Sequence, residues 1–233
     1  MNRAQSDALP RTLADLPQWA AERYGDTPFL QGWSMRDGVG DSMSFRDFAR
    51  LERTARSALA SNGVRRGSRV AFTTHASPEA LALSLATTSL GGVVVNLNWR
   101  LPEETLSQLI DGFPCEVFVA STNFTATARR VRDALKRPPR RLLLVGPRSG
   151  PLVPGETRWD ADVTAEDRIA FHGPGPAEDD VALLMFTSGT SALPKAVPLT
   201  HGGLMWSCAT KAAAEESLLG FSARGPPFSP RPP

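Results

Sequence analysis

Val93-Val94-Val95, an unbroken β-branched run opening directly after Gly91-Gly92, restricts the fold of this 233-residue chain more than any other stretch. Consecutive branched side chains suit a strand covered on both faces, as in a parallel sheet; a strand with one wet face would alternate polar and apolar residues. The flanking sequence repeats a helix-then-strand rhythm, the signature of parallel βαβ units. Ser44, with Asp47 three residues on, predicts a capped helix start, and Phe48, Leu51, Ala55 and Leu59 recur at helical spacing until Asn62-Gly63. Strand Arg69-Val-Ala-Phe-Thr73 follows. Ser77-Pro78-Glu79 supplies a cap, a proline at the first helical position and a first-turn acid for a helix running through Leu90. Leu101-Pro102-Glu103-Glu104 opens another helix, Glu116–Ala120 another strand, Ala126–Leu135 a helix, Leu142–Val145 a strand and Val181–Phe186 a further one. The expected class is α/β, with mostly parallel sheets flanked by helices.

The uncharged stretch from Ala80 to Trp99 approaches the length of a membrane span. Ser84, Thr87, Thr88 and Ser89 interrupt it, Gly91-Gly92 breaks it, and Asn96 and Asn98 close it, so it reads as a buried helix and strand with no transmembrane segment. Only two cysteines, Cys115 and Cys208, are present, far apart and outside metal-ligand spacing, which argues against a disulfide framework or a zinc site. A formal net charge of +2 gives no global reason to invoke nucleic acid. The first ten residues lack the apolar core of a signal peptide, and a reducing, cytoplasmic setting is expected. Arg129, Arg130, Arg132, Lys136, Arg137, Arg140 and Arg141 crowd one region; an RNA-binding or anionic-membrane patch is the alternative, but with no interleaved aromatics and an acidic stretch just downstream to offset them they read as a solvated helix face. His75, His172 and His201 share no spacing with a nucleophile or metal-ligand set.

Chemistry concentrates in Leu184-Met-Phe-Thr-Ser-Gly-Thr-Ser-Ala-Leu-Pro-Lys195, where an apolar strand stops at a hydroxyl-rich loop and ends on a lysine. Thr187, Ser188, Thr190 and Ser191 offer side-chain donors, and Gly189 lets backbone amides face one point. Pro194 stiffens the exit, and Lys195 places a cation beside it. Such a loop is suited to holding phosphate, although it is no Walker A sequence. With Ala-Val-Pro-Leu-Thr-His-Gly-Gly-Leu after it, the stretch resembles the phosphate-loop signature of the adenylate-forming enzymes, which include acyl-CoA synthetases, peptide-synthetase adenylation domains and luciferases. Thr12–Asp26 resembles the family's first helix and the stretch from Ser44–Phe48 onward its second, and Gly67–Glu79 and Gly92–Glu104 are similar to family segments in the expected order. The family usually has glycine where this chain has Ala192. If that position needs a positive φ, alanine costs about 1–2 kcal/mol.

The resemblance implies an incomplete N-terminal domain of an adenylate-forming enzyme over residues 10–219. Within it lie an irregular Gly/Pro/acid-rich surface segment, 146–180, with a short strand near Arg168–Phe171, and beyond it a Pro-rich tail, 220–233. It implies an AMP-forming acid–thiol ligase of fatty or other acyl metabolism, in which a carboxylic acid attacks the α-phosphate of ATP, magnesium accompanies the ATP, and the acyl-adenylate passes to a thiol such as CoA. In that scheme Thr187, Ser188, Gly189, Thr190, Ser191, Pro194 and Lys195 hold the β- and γ-phosphates. Nothing after Lys195 resembles the family's adenine-binding, ribose-binding or catalytic-lysine segments, so the 233 residues are expected to be inactive alone. Alternatives are a non-catalytic binding or dimerisation protein, or an unstable truncated product.

Overall fold

The computed structural model of the protein describes residues 9–31, 42–147, 150–159, 175–187 and 194–219. Helix α1 (Leu16–Tyr24) precedes a small antiparallel pair, β1 (Pro28–Gln31) with β2 (Ser42–Ser44). The chain then runs through α2 (Phe45–Ser61), β3 (Arg69–Thr73), α3 (Pro78–Ser89), β4 (Val93–Asn96), α4 (Glu103–Gly112) and β5 (Val117–Ser121). A single 3-10 turn leads to α5 (Thr125–Ala134), β6 (Arg141–Val145), β7 (Glu156–Trp159), β8 (Val181–Thr187), β9 (Lys195–Thr200) and α6 (His201–Leu219). Among the described residues seven strands make one sheet in the order β7-β6-β5-β3-β4-β8-β9. All neighbours pair parallel except β8 and β9. The expected α/β class, with a mostly parallel sheet flanked by helices, is the one found.

Local chemistry accounts for the element boundaries. Ser44 is the N-cap of α2: its Oγ accepts from the Asp47 N–H at 3.1 Å and donates to the Asp47 carboxylate at 2.7 Å. Ser77 does the same work for α3, accepting from the Ala80 N–H at 3.1 Å, with Pro78 in the first turn. Where α3 hands over to β4 the backbone is crowded. A Cβ on Gly92 would lie 3.0 Å from the Thr87 carbonyl oxygen and 3.1 Å from that of Ser68, so a side chain there would push helix and strand apart.

The period-two alternation of the strands sorts the core into two layers. Val70, Phe72, Val94, Val117 and Val119 face α2 and α3, packing with Phe48, Leu59, Leu83 and Leu90. Ala71, Val95, Phe118 and Ala120 face α4 and α5, packing with Leu106, Ile110 and Val131. This double coverage is what the triple valine foretells. Ala80–Trp99 forms α3, β4 and the start of the next loop, and no helix among the described residues is long and apolar enough to cross a membrane.

Three features depart from the sequence reading. The first helix is shorter than Thr12–Asp26, because Gly25 at φ 54° leaves the helical conformation and Thr12 is spent on a bond to Asp15 at 3.0 Å. Within the Gly/Pro/acid-rich stretch, Glu156–Trp159 is a regular strand, paired with β6. The basic run is not one helix face, since α5 ends at Ala134 and Lys136 to Arg141 lie beyond it. The expected short strand near Arg168–Phe171, His172 and the tail from residue 220 fall outside the described residues.

Candidate functional site

A parallel sheet delivers every strand's exit loop to one edge, and a crevice opens where successive connections leave on opposite faces. Here that point is β3. The chain passes from β3 to β4 on one side, then crosses back over β3 to reach β5 on the other. The helices of these two connections, α3 and α4, belong to opposite core layers.

Three ring side chains meet at this edge, one from beyond each of β3, β4 and β5. The His75 ring lies 5.0 Å from Trp99 and 4.6 Å from Phe124, and Trp99 stacks on Phe124 at 5.0 Å. The Arg100 guanidinium covers the Trp99 ring at 4.3 Å. The His75 N–H donates to Ser121 Oγ at 2.9 Å, tying the β3 exit to the end of β5. Sequence reading ranks His75 low and gives Trp99 and Phe124 no role. Only the strand register, Phe72 opposite Asn96 and Thr73 opposite Ala120, brings the three together.

The expected phosphate loop opens toward the same edge. β8 joins the sheet with Leu184 opposite Val95, so Met185, Phe186 and Thr187 carry on past the end of β4. β9 then returns antiparallel, with Thr187 opposite Lys195 and the Thr187 hydroxyl 3.5 Å from the Lys195 carbonyl oxygen. The loop's first hydroxyl and its terminal lysine therefore sit across from each other at the mouth of a hairpin, both exposed, with Pro194 beside Lys195. Ser188, Gly189, Thr190 and Ser191 lie outside the described residues.

The opposite end of this hairpin is anchored by charge and by a buried imidazole. Asp180, just before β8, accepts from the Ala177 N–H at 2.8 Å and from Arg66 at 2.6 Å, and these bonds hold its carboxyl below the usual range. Glu178 pairs with Arg11. His201, fully buried where β9 turns into α6, accepts at Nδ1 from the Leu13 N–H at 3.2 Å. Its proton is thereby assigned to Nε2, which finds no partner among the described residues. Burial pushes the imidazole's pKa down against the pull of Asp180 and Asp15. Cys115 is inert as a nucleophile: burial pushes its thiol up to about 12.

The His201 environment carries a pH prediction. Below about pH 6.5 an unfolded chain protonates this ring while the folded chain resists, so its contribution to stability is complete above that pH and is lost as pH falls toward the lower folded value. The expected slope from this one group is at most about 1.4 kcal/mol per pH unit. Denaturant titrations between pH 7 and 5 should show it, and H201Q should flatten it. An equal slope in the variant would assign the loss to other groups.

A family model described as AMP-binding enzyme matches residues 17–223. Among curated proteins, the crotonobetaine/carnitine–CoA ligase of Salmonella paratyphi A is 28% identical over 188 residues, covering 80% of this chain and 36% of that protein. The indoleacetate–CoA ligase of Aromatoleum aromaticum is 31% identical over 165 residues, covering 71% of this chain and 31% of that one. The chain thus spans about a third of the length of these relatives. The solved structure of a Brucella canis acyl-CoA synthetase superposes with a TM-score of 0.68 at 20% identity, covering 92% of this chain and 39% of that one, a likeness of fold.

Proposed function

The chain belongs to the AMP-binding enzyme family, and from that membership we propose that its residues supply the phosphate-holding portion of an AMP-forming acid–thiol ligase. ATP, escorted by magnesium, is the expected nucleotide, a carboxylic acid the substrate and CoA the acyl acceptor. The relatives named above are CoA ligases, which supports this reading. The observation that carries it is the β8–β9 hairpin. Two paired strands fix Thr187 and Lys195 opposite each other at the crevice edge. The loop they bracket, Ser188, Gly189, Thr190, Ser191 and Pro194, contains the hydroxyl donors and the glycine that a polyphosphate chain requires. Lys195 is the electrostatic clamp on the leaving pyrophosphate, and the hydroxyls orient it. In this reading residues 10–219 act as one unit. The ring trio with Arg100 lines the same edge and offers a stacking face to a planar group of a reactant.

Recognition through phosphates predicts a ligand ranking. MgATP and pyrophosphate should compete for one site on the 233-residue chain, and adenosine should not displace either. Removing one charge-assisted contact costs about tenfold in affinity or more, so T187A with K195A should weaken both phosphate ligands by at least that factor. Calorimetric titration measures this. Adenosine binding as tightly as ATP, or indifference to the double substitution, would move the nucleotide site elsewhere. Acid-dependent exchange of pyrophosphate into ATP by these residues alone would show a complete adenylation site within them, against a merely phosphate-holding role.

A further inference from the structure

The sheet's other end has a charge pattern that the phosphate-holding role does not use. Along α5 the fold neutralises its cations one by one: Arg129 pairs with Glu156, Arg130 with Glu103 and Arg132 with Asp133. That neutralisation stops where the helix does. Lys136, Arg137, Arg140 and Arg141, in the turn leading into β6 and at its first residue, are all exposed and have no side-chain partner among the described residues. Arg65, in the turn leading into β3, is likewise exposed and unpaired among the described residues. The two turns adjoin, since a Cβ on Gly63 would lie 3.8 Å from Arg140 Nη1. Of the nearby acids, Asp180 pairs with Arg66, Asp111 and Glu116 accept from the backbone N–H groups of Lys136 and Arg69 at 3.0 and 2.7 Å, and Asp179 is exposed, so the five cations outnumber the acids left unpaired by side-chain cations.

We propose that this edge, where the parallel strands begin, is a docking surface for an anionic lipid membrane. Five unpaired cations at one end of a sheet raise a local positive potential although the chain as a whole is near neutral. Pro138-Pro139 stiffens the turn between Arg137 and Arg140, which lowers the entropy lost when the turn meets a surface. Single-stranded nucleic acid is favoured by aromatic rings set among the basic residues. Here no described ring stands in the two basic turns: His75, Trp99 and Phe124 gather at the opposite edge, and the exposed Trp206 lies on α6. Anionic headgroups need only charge. Docking by this edge also turns the hairpin mouth away from the bilayer, toward solvent.

Co-sedimentation with vesicles tests the proposal. The chain should bind vesicles of phosphatidylcholine mixed with phosphatidylserine, ignore vesicles of phosphatidylcholine alone, and dissociate at about 1 M salt, where the screening length shrinks to about 3 Å. Each juxtaposed cation contributes about fivefold, so R137Q with R140Q and R141Q should weaken binding about a hundredfold. Circular dichroism should show an unchanged fold, because these side chains have no partners to lose; single R137Q and K136Q variants serve if the triple variant misfolds. R53Q, an exposed cation on α2 outside the two basic turns, should bind as the parent does. No sedimentation with the charged vesicles, equal binding to neutral ones, or a triple variant that binds normally overturns the proposal. So does a random single-stranded oligonucleotide that binds more tightly than the vesicles through the same arginines.

Discussion

Alanine in place of Phe118 should lower the unfolding free energy by about 3–5 kcal/mol, a large part of the roughly 5–15 kcal/mol that keeps a domain folded. Phe118 is fully buried in β5, a central strand, with Ala71 beside it on β3 and Leu142 on β6. Its ring packs in the layer that Leu106, Ile110 and Val131 bring from α4 and α5. Removing it forfeits the transfer energy of a buried aromatic and leaves a cavity that strands fixed by ladder bonds on both sides collapse poorly to fill. F118L keeps part of the volume and should lose less than half as much. Met185→Ala, on a side chain 47% exposed, should stay within about 0.5 kcal/mol. The melting temperature of F118A should drop on the order of 10 °C. A loss below about 1 kcal/mol by denaturant titration would mean that this layer does not hold the sheet together.

The strands that the sequence reveals share one property: they are apolar on both faces. β3, β4, β5 and β6 match their expected segments to within a residue, as do the capped starts of α2 and α3. β7 stays hidden because its four residues, Glu-Thr-Arg-Trp, carry two charges and show no apolar alternation. Its order comes from ion pairs reaching across from α5, a long-range cause that local periodicity does not register. The site divides in the same way. The composition of the phosphate loop can be read directly from Thr187 to Lys195, whereas the frame that holds its ends is a matter of strand register. The ring trio is a product of topology alone. His75, Trp99 and Phe124 are separated by tens of residues and become neighbours only because β3 lies between β4 and β5.

Glu156 gives the sharpest test of that hidden strand. Its side chain is fully buried, and its two oxygens accept from Arg129 at 2.6 and 2.8 Å and from the Val153 N–H at 2.9 Å, with Arg132 at 4.0 Å. Arg129 also donates to the Pro151 carbonyl at 3.0 Å, so one carboxylate fastens both β7 and the turn before it to α5. Breaking a buried pair from one side typically costs about 3–5 kcal/mol, because the remaining groups keep their desolvation without their partner. Since the Arg129 guanidinium can turn partly back to water, E156A should fall at the low end, about 3 kcal/mol. Replacing both partners, E156L with R129M, should recover most of that loss, since no charge is then left stranded. The Arg129 hydrogen bonds hold the Glu156 carboxyl below its ordinary value near 4.5. Its stabilising contribution is therefore complete above that pH and drains away as pH falls through the lower folded value. Acid titration of stability should be shallower in E156A than in the parent over that window. Because β7 is the edge strand among the described residues, the loss should appear first as faster amide exchange in β7 and the turn before it, with the central strands still protected. Uniformly faster exchange through β3 and β5 would instead make the Glu156 anchor part of the global fold.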